Sequence, residues 1–172
     1  MIGGGDWAPD RIVVDFVQAI TAKRPLILRN PDATRPWQHV LEPLSGYLHL
    51  TQKLLEDDGL AFASGWNFGP GEENVHRVED LARGLVAAWG VGEVVIERNA
   101  GNPHEASLLK LDCSMARSQL GWHGVWDFIE TLRYTVDWYR SHSMSQNVSI
   151  LTLEQIKSYQ TAARHTGLPW TQ

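Results

Sequence analysis

The sequence predicts an α/β protein, on three observations. Short apolar runs, Leu26–Leu28 after Pro25 and the β-branched Val94–Ile96, alternate with segments that carry apolar residues at helical spacing. Glycine, proline and aspartate clusters such as Asp57-Asp58-Gly59 and Gly69-Pro70-Gly71 fall between those segments and not within them. At 172 residues the chain fits one domain and is long enough to bury a core.

The first helix is expected over residues 10–22, with Ile12, Val13, Phe16, Val17 and Ile20 on one face and Asp10 as its cap. Leu26–Leu28 is a short buried strand. A second helix starts near Pro43, carries Leu44, Tyr47, Leu48, Leu54 and Leu55 as its apolar set, and stops at Asp57-Asp58-Gly59. Residues 61–68 are expected as a strand ended by Gly69-Pro70-Gly71. A third helix takes Val78, Leu81, Leu85, Val86 and Trp89, with Gly90 just past its end. Val94–Ile96 and residues 108–111 are further strands, and Asp112 caps a turn of helix holding Met115, Ala116 and Leu120. Asp127 and Glu130 form a capping box for a helix with Phe128, Ile129, Leu132, Val136 and Tyr139. Thr152 and Gln155 form another for the last helix, with Leu151 and Ile156 at the staple positions, after a polar linker over 141–149.

The net charge of −5 argues against nucleic acid as a partner. No apolar run approaches the roughly 20 residues needed to span a bilayer, and no signal peptide is visible at Met1-Ile2-Gly3-Gly4-Gly5-Asp6. One cysteine, Cys113, excludes an internal disulfide and suits a reducing, cytoplasmic setting; without an activating base it is expected as a packed small residue. Gly3-Gly4-Gly5 follows no strand and lacks the spacing of a dinucleotide fingerprint, so it is expected as a plain flexible turn. None of Lys23, Lys53, Lys110 and Lys157 has a Tyr four residues before it, no Gly-x-Ser-x-Gly elbow is present, and the seven histidines contain no His-x-x-x-His pair. No catalytic set, no cofactor motif and no metal site can be assembled from these residues.

One stretch stands apart. Residues 29–44 join the first strand to the second helix and offer Arg29, Asn30, Arg35, Trp37 and His39 within a short span. Guanidinium groups present a rigid fork of donors matched to phosphate oxygens. The alternative is a solvated connector whose arginines meet water and surface carboxylates. His104-Glu105 also stands in a turn-like segment, and there a surface pair is the default.

Taken in order, Ile2-Gly3-Gly4-Gly5-Asp6-Trp7 with Asp10-Arg11, Arg29-Asn30-Pro31, the run from Thr34-Arg35-Pro36-Trp37-Gln38-His39 to Gly46-Tyr47, Trp66-Asn67-Phe68-Gly69-Pro70, Asn102-Pro103-His104-Glu105-Ala106, residues 109–114, Leu120-Gly121-Trp122 and Leu151-Thr152-Leu153-Glu154-Gln155-Ile156 resemble one family. It is the extended short-chain dehydrogenase/reductase (NAD-dependent epimerase/dehydratase) family, in its C-terminal part, and within it the CDP-glucose 4,6-dehydratases. The Arg-Pro-Trp-Gln-His and Asn-Pro-His-Glu-Ala segments favour that branch over the dTDP-glucose one.

The resemblance implies the substrate-binding part of a Rossmann-type enzyme without the N-terminal Rossmann half, which in the family supplies the NAD site and the Tyr-x-x-x-Lys pair. Residues 1–142 would be the partial substrate-binding domain and 143–172 a linker with a C-terminal capping helix. The family reaction is a lyase reaction: NAD takes a hydride from C4 of the glucosyl unit, water leaves across C5 and C6, and the hydride returns to C6. This chain alone is then expected to be inactive and to bind no NAD, with the Rossmann half as its partner and oligomers open to it. The resemblance assigns Arg35 to the diphosphate, Asn67 at a strand end to phosphate or ribose, and Arg11 to the helix beside the nucleotide. It lays Leu26 to Arg29 along the base, and gives Asn102, His104 and Glu105 a loop closing on the ligand. Val14 and Leu108 depart from the family pattern. A related dehydratase or epimerase acting on a dTDP-, GDP- or UDP-sugar, and a binding module that has lost the chemistry, are the other readings.

Overall fold

The computed structural model describes residues 1–97 and 109–172. Six helices and four strands follow one another as α1 (Ile12–Thr21), β1 (Leu26–Leu28), β2 (Thr34–Pro36), α2 (Leu41–Leu54), β3 (Val75–Arg77), α3 (Val78–Trp89), β4 (Val94–Ile96), α4 (Ser114–Leu120), α5 (Phe128–Ser143) and α6 (Val148–His165). β1 pairs in parallel with β4, Leu26 opposite Val94, while β2 and β3 form a separate antiparallel pair with Arg35 opposite His76. No helix among the described residues is long and apolar enough to cross a membrane.

The main core lies where α1, α3 and α5 meet β1. Phe16 and Val17 of α1, Leu81 and Leu85 of α3, and Leu132, Val136 and Tyr139 of α5 bury against Leu26 and Leu28. These are residues that helical and strand periodicity place on inward faces. α3 ends where expected, Gly90 taking the left-handed conformation (φ 91°) that closes a helix without a Cβ clash. Asp127 and Glu130 form the capping box of α5 as the sequence requires. Asp112 accepts a hydrogen bond from the Ser114 amide at the start of α4 (2.8 Å), and Cys113 is buried there, with burial pushing its thiol up. A second cluster gathers Phe68, Ala116, Leu120 and Trp122.

Several expectations are corrected. Asp10 adopts a positive φ (60°) outside α1 and caps nothing; Arg11 is the residue at the N-cap. Gly3 to Gly5 is no plain flexible turn: a Cβ on Gly4 would stand 2.0 Å from the Trp138 ring, and Ile2 bridges to His39. Residues 61–68 form no strand; the chain makes a 3-10 turn over Gly59–Phe62 and then runs extended without a ladder partner among the described residues. Leu109 to Leu111 form none either, and Leu108 lies outside the described residues. α6 starts earlier than expected, at Val148, capped by Asn147. Thr152 is inside the helix, where its hydroxyl donates to Val148 O and accepts from the Trp138 indole. The linker accordingly shrinks to residues 144–147. Ile129 points outward from α5.

The largest correction concerns α2. Leu44, Tyr47, Leu48, Leu54 and Leu55 face solvent, Leu48 being 73% and Leu55 83% exposed, while Glu42, Ser45 and His49 face inward. Glu42 is the reason. Its carboxylate accepts hydrogen bonds from the Trp126 amide (2.7 Å), the Val125 amide (3.0 Å) and the Tyr159 hydroxyl (2.7 Å). Ser45 extends the network, receiving the Trp122 indole N–H (3.0 Å) and lying 3.0 Å from the Tyr159 hydroxyl. Burial pushes the Glu42 carboxyl above its ordinary range, against the pull of those three donors.

Removing Glu42 strands the Val125 and Trp126 amides and leaves the Tyr159 phenol only Ser45, and each orphaned buried group costs about 1–3 kcal/mol. Glu42→Ala is expected to lower unfolding stability by about 3 kcal/mol and Tyr159→Phe by about 1 kcal/mol; chemical denaturation checks both values and their order. His39 gives a pH prediction. Its ring is buried edge-on to Trp126, Nδ1 accepts from the Leu41 amide, and burial lowers its pKa to about 4. The folded ring resists protonation while the unfolded ring accepts a proton near 6.5, so its contribution is full above 6.5 and is lost as pH falls towards 4. The loss reaches about 3 kcal/mol. Stability of the parent relative to His39→Gln, measured by denaturation across that window, is expected to fall accordingly; parallel pH profiles would refute it.

Candidate functional site

A cleft of about 1260 Å³ opens between the start of α1 and β1. Pro25 to Arg29 line it from the strand, Arg11 to Asp15 from the helix, and Arg35 with Trp37 from the segment after β1. Three of the expected ligand residues, Arg11, Arg29 and Arg35, therefore share one cavity.

The Arg-rich stretch is a held structure and not a solvated connector. Arg35 lies in β2, whose ladder to β3 sets Thr34 against Arg77 and Pro36 against Val75. His76, opposite Arg35, stacks on Phe128 with centroids 3.8 Å apart, tying β3 to the start of α5. The Val78 and Glu79 amides donate to Ala33 O and Pro31 O, and Arg77 bridges Asp32 (3.5 Å) and Asp80 (3.0 Å). Arg35 itself donates to Thr34 O at 2.9 Å. At the other end, the bridge of Ile2 to Gln38 and Val40 fixes the exit from Trp37. A guanidinium mounted on such a frame is pre-positioned for an anion.

Among the described residues the cleft's charged side chains are the guanidinium groups of Arg11, Arg24, Arg29 and Arg35 and the carboxylates of Asp6, Asp10 and Asp15, four positive against three negative in a chain whose net charge is −5. Asp6 lies 4.0 Å from Arg11 and accepts from the Ala8 amide. Burial raises the Asp15 carboxyl, Asp10 adds to the rise and Arg29 opposes it.

Asn67 stands apart from this cavity. Its amide donates to Asp112 O (3.1 Å), fastening the extended segment to the start of α4, so its expected place at a strand end facing the ligand is not found here. Asn102, His104 and Glu105 lie outside the described residues. Sequence reasoning missed Arg24 and Asp15 as lining residues, whereas Trp37 came with the Arg-rich stretch. The signal for Asp15 was present: it follows Arg11 by four positions, hence on the same helical face. Among the described residues no three His, Cys, Asp or Glu side chains gather as a metal site.

No family model matches the chain. In sequence it is 43% identical over 162 residues to CDP-glucose 4,6-dehydratase of Salmonella typhimurium, an alignment covering 94% of this chain and 45% of that enzyme. The chain thus spans less than half the length of that curated relative. In structure it is similar to a UDP-glucose 4-epimerase of Stenotrophomonas maltophila with bound NAD and formylated UDP-arabinopyranose (TM-score 0.66, 21% identity, 82% of this chain and 43% of the other). It is likewise similar to dTDP-glucose 4,6-dehydratase of Bacillus anthracis in complex with NAD (TM-score 0.63, 18% identity, 83% and 43%). In sequence, then, the chain is similar to less than half of a CDP-glucose 4,6-dehydratase, and its fold is that of the corresponding part of these epimerase and dehydratase structures.

Proposed function

We propose that this chain holds the nucleotide-sugar in a CDP-glucose 4,6-dehydratase, whose reaction converts CDP-glucose to its 4-keto-6-deoxy product, and that by itself it performs no chemistry. The observation that carries this is the convergence of Arg11, Arg29 and Arg35 on one cleft beside β1. Arg35 takes the diphosphate, since a guanidinium fork meets two phosphate oxygens at once. The strand from Leu26 to Arg29 runs along the base, and Arg11 approaches from α1. Asn67 retains a place in this reading only through movement of the segment that now binds Asp112 O. Asn102, His104 and Glu105 are proposed to close the same end of the ligand. Residues 1–142 are the ligand-holding unit and 143–172 its linker and cap, with α6 fastened to the rest through Tyr159 and Gln155.

The described residues do not fit NAD. Gly3 packs against Val40 and Gly4 and Gly5 against Trp138, and among the described residues no strand leads through a glycine turn into a helix in the way a pyrophosphate cradle requires. Isothermal titration tests the proposal. CDP-glucose is expected to bind, Arg35→Ala to weaken it by about 10-fold or more, in keeping with the loss of a charge-assisted bidentate contact, and NAD to give no detectable heat. Micromolar NAD binding, or an Arg35→Ala variant that binds as the parent does, would count against it.

The partner proposed for this unit is the remainder of the relatives' length, the Rossmann half. α2 turns Leu44, Tyr47 and Leu48 outward. Beside it Gly65, Trp66 and Asn67 make no backbone hydrogen bond among the described residues, and Phe68 packs edge-on to Tyr47. An apolar helix face next to an unpaired extended chain lacks the sheet that would cover both. Expressed alone, the chain is expected to self-associate through this surface, and Leu48→Glu to shift it to a monomer without lowering its thermal midpoint. Light scattering after size exclusion decides: a parent that is already monodisperse and monomeric would contradict the prediction.

A further inference from the structure

We infer that Asp15 is the specificity residue for the nucleobase, accepting a hydrogen bond from the exocyclic amino group that cytosine has and uracil and thymine lack. The inference rests on the CDP-sugar reading above and deepens it. Asp15 lines the same cleft as Leu26, Ile27, Leu28 and Arg29, the strand assigned to the base. Asp15 stands on α1, the helix that packs directly on this strand, so its side chain and the strand share one wall of the cleft.

Other carboxylates in the cleft are less suited. Asp6 is engaged by Arg11 and by the Ala8 amide. Asp10 sits before the helix in a left-handed turn (φ 60°), whereas Asp15 is held on the rigid first turns of α1, its own amide bonded to Arg11 O. α1 is in turn anchored by the buried Val14 and Phe16 on either side of Asp15 in sequence. Asp15 is exposed at the mouth of the cleft, so its carboxylate is open to a donor on a ligand.

The chemistry is asymmetric. Cytosine presents an amino donor at its 4-position where uracil and thymine present a carbonyl oxygen, and an Asp or Glu acceptor matches the former and repels the latter. The strand backbone contacts every pyrimidine alike. Asp15 would discriminate among them.

CDP-glucose and UDP-glucose differ only at that edge of the base, so titrating both against the parent chain, Asp15→Ala and Asp15→Asn isolates the effect. The parent is expected to prefer CDP-glucose by about 10-fold or more, and Asp15→Ala to lose about 10- to 100-fold of its CDP-glucose affinity, the worth of one good base-edge contact, with no loss for UDP-glucose. Asp15→Asn, which keeps the shape and the helix and can turn an N–H towards the uracil oxygen, is expected to narrow the preference by improving UDP-glucose; it also serves if the alanine variant fails to fold. Equal losses for both nucleotides, no loss for either, or a parent indifferent to the base would overturn the Asp15 assignment and leave the sugar-nucleotide reading standing. A parent that binds neither nucleotide would overturn both.

Discussion

The buried Glu42 carboxylate is the constraint from which much of this molecule follows. A carboxylate removed from water must recover its solvation from protein donors. Glu42 does so with two successive amides, Val125 and Trp126, and one phenol, Tyr159. Those donors come from the segment before α5 and from α6, so a single charged group on α2 gathers three distant parts of the chain. Ser45, one turn on, accepts the Trp122 indole and completes the closure. The polar face of α2 is therefore the inward one. Its leucines are turned outward as a consequence of geometry, because one helix cannot bury opposite faces against the same neighbour.

The same constraint reaches the cleft. Glu42 lies in the first turn of α2, and His39 and Gln38, both buried, come shortly before that helix. Gln38 donates to Phe68 O (2.8 Å), and its own carbonyl receives the Ile2 amide. Immediately upstream lie Trp37 and Arg35, on the cleft wall. The rigid seat of α2 thus fixes one end of the arginine-bearing segment, and the β2–β3 ladder with the His76–Phe128 stack fixes the other. Packing, not a flexible loop, sets where the guanidinium of Arg35 stands.

Much of this was legible in the sequence, and the rest was hidden for identifiable reasons. β1, β4, α3 and α5 combine periodicity with local stop and start signals, and both kinds of signal agree for them. α2 misled because its leucines have helical spacing while its polar face is buried through contacts some 80 to 117 residues away in sequence, which no local pattern encodes. Residues 61–68 have the composition of a strand but no ladder partner among the described residues, and pairing is what makes a strand. β2 and β3 are three residues each, too short for a period to show. For the cleft, arginines were found by type, whereas Asp15 required knowing that the α1 face bearing Arg11 turns towards β1.

The arginines of the cleft are suited to binding on physical grounds. Guanidinium groups remain protonated throughout the range in which proteins work, so Arg11, Arg24, Arg29 and Arg35 can neutralise and orient phosphates but cannot exchange protons with a sugar. Asp6 lies 4.0 Å from Arg11, and burial with the neighbouring Asp10 raises the Asp15 carboxyl while Arg29 opposes the rise. His39, the buried imidazole nearest in sequence, has its Nδ1 committed to the Leu41 amide and resists protonation until about pH 4. A wall of fixed cations with an acceptor at one end has the chemistry of a grip with a reading head. In the proposed reading it orders the ligand along its length, diphosphate at Arg35 and base at Asp15, and presents the sugar to the surface that completes the site.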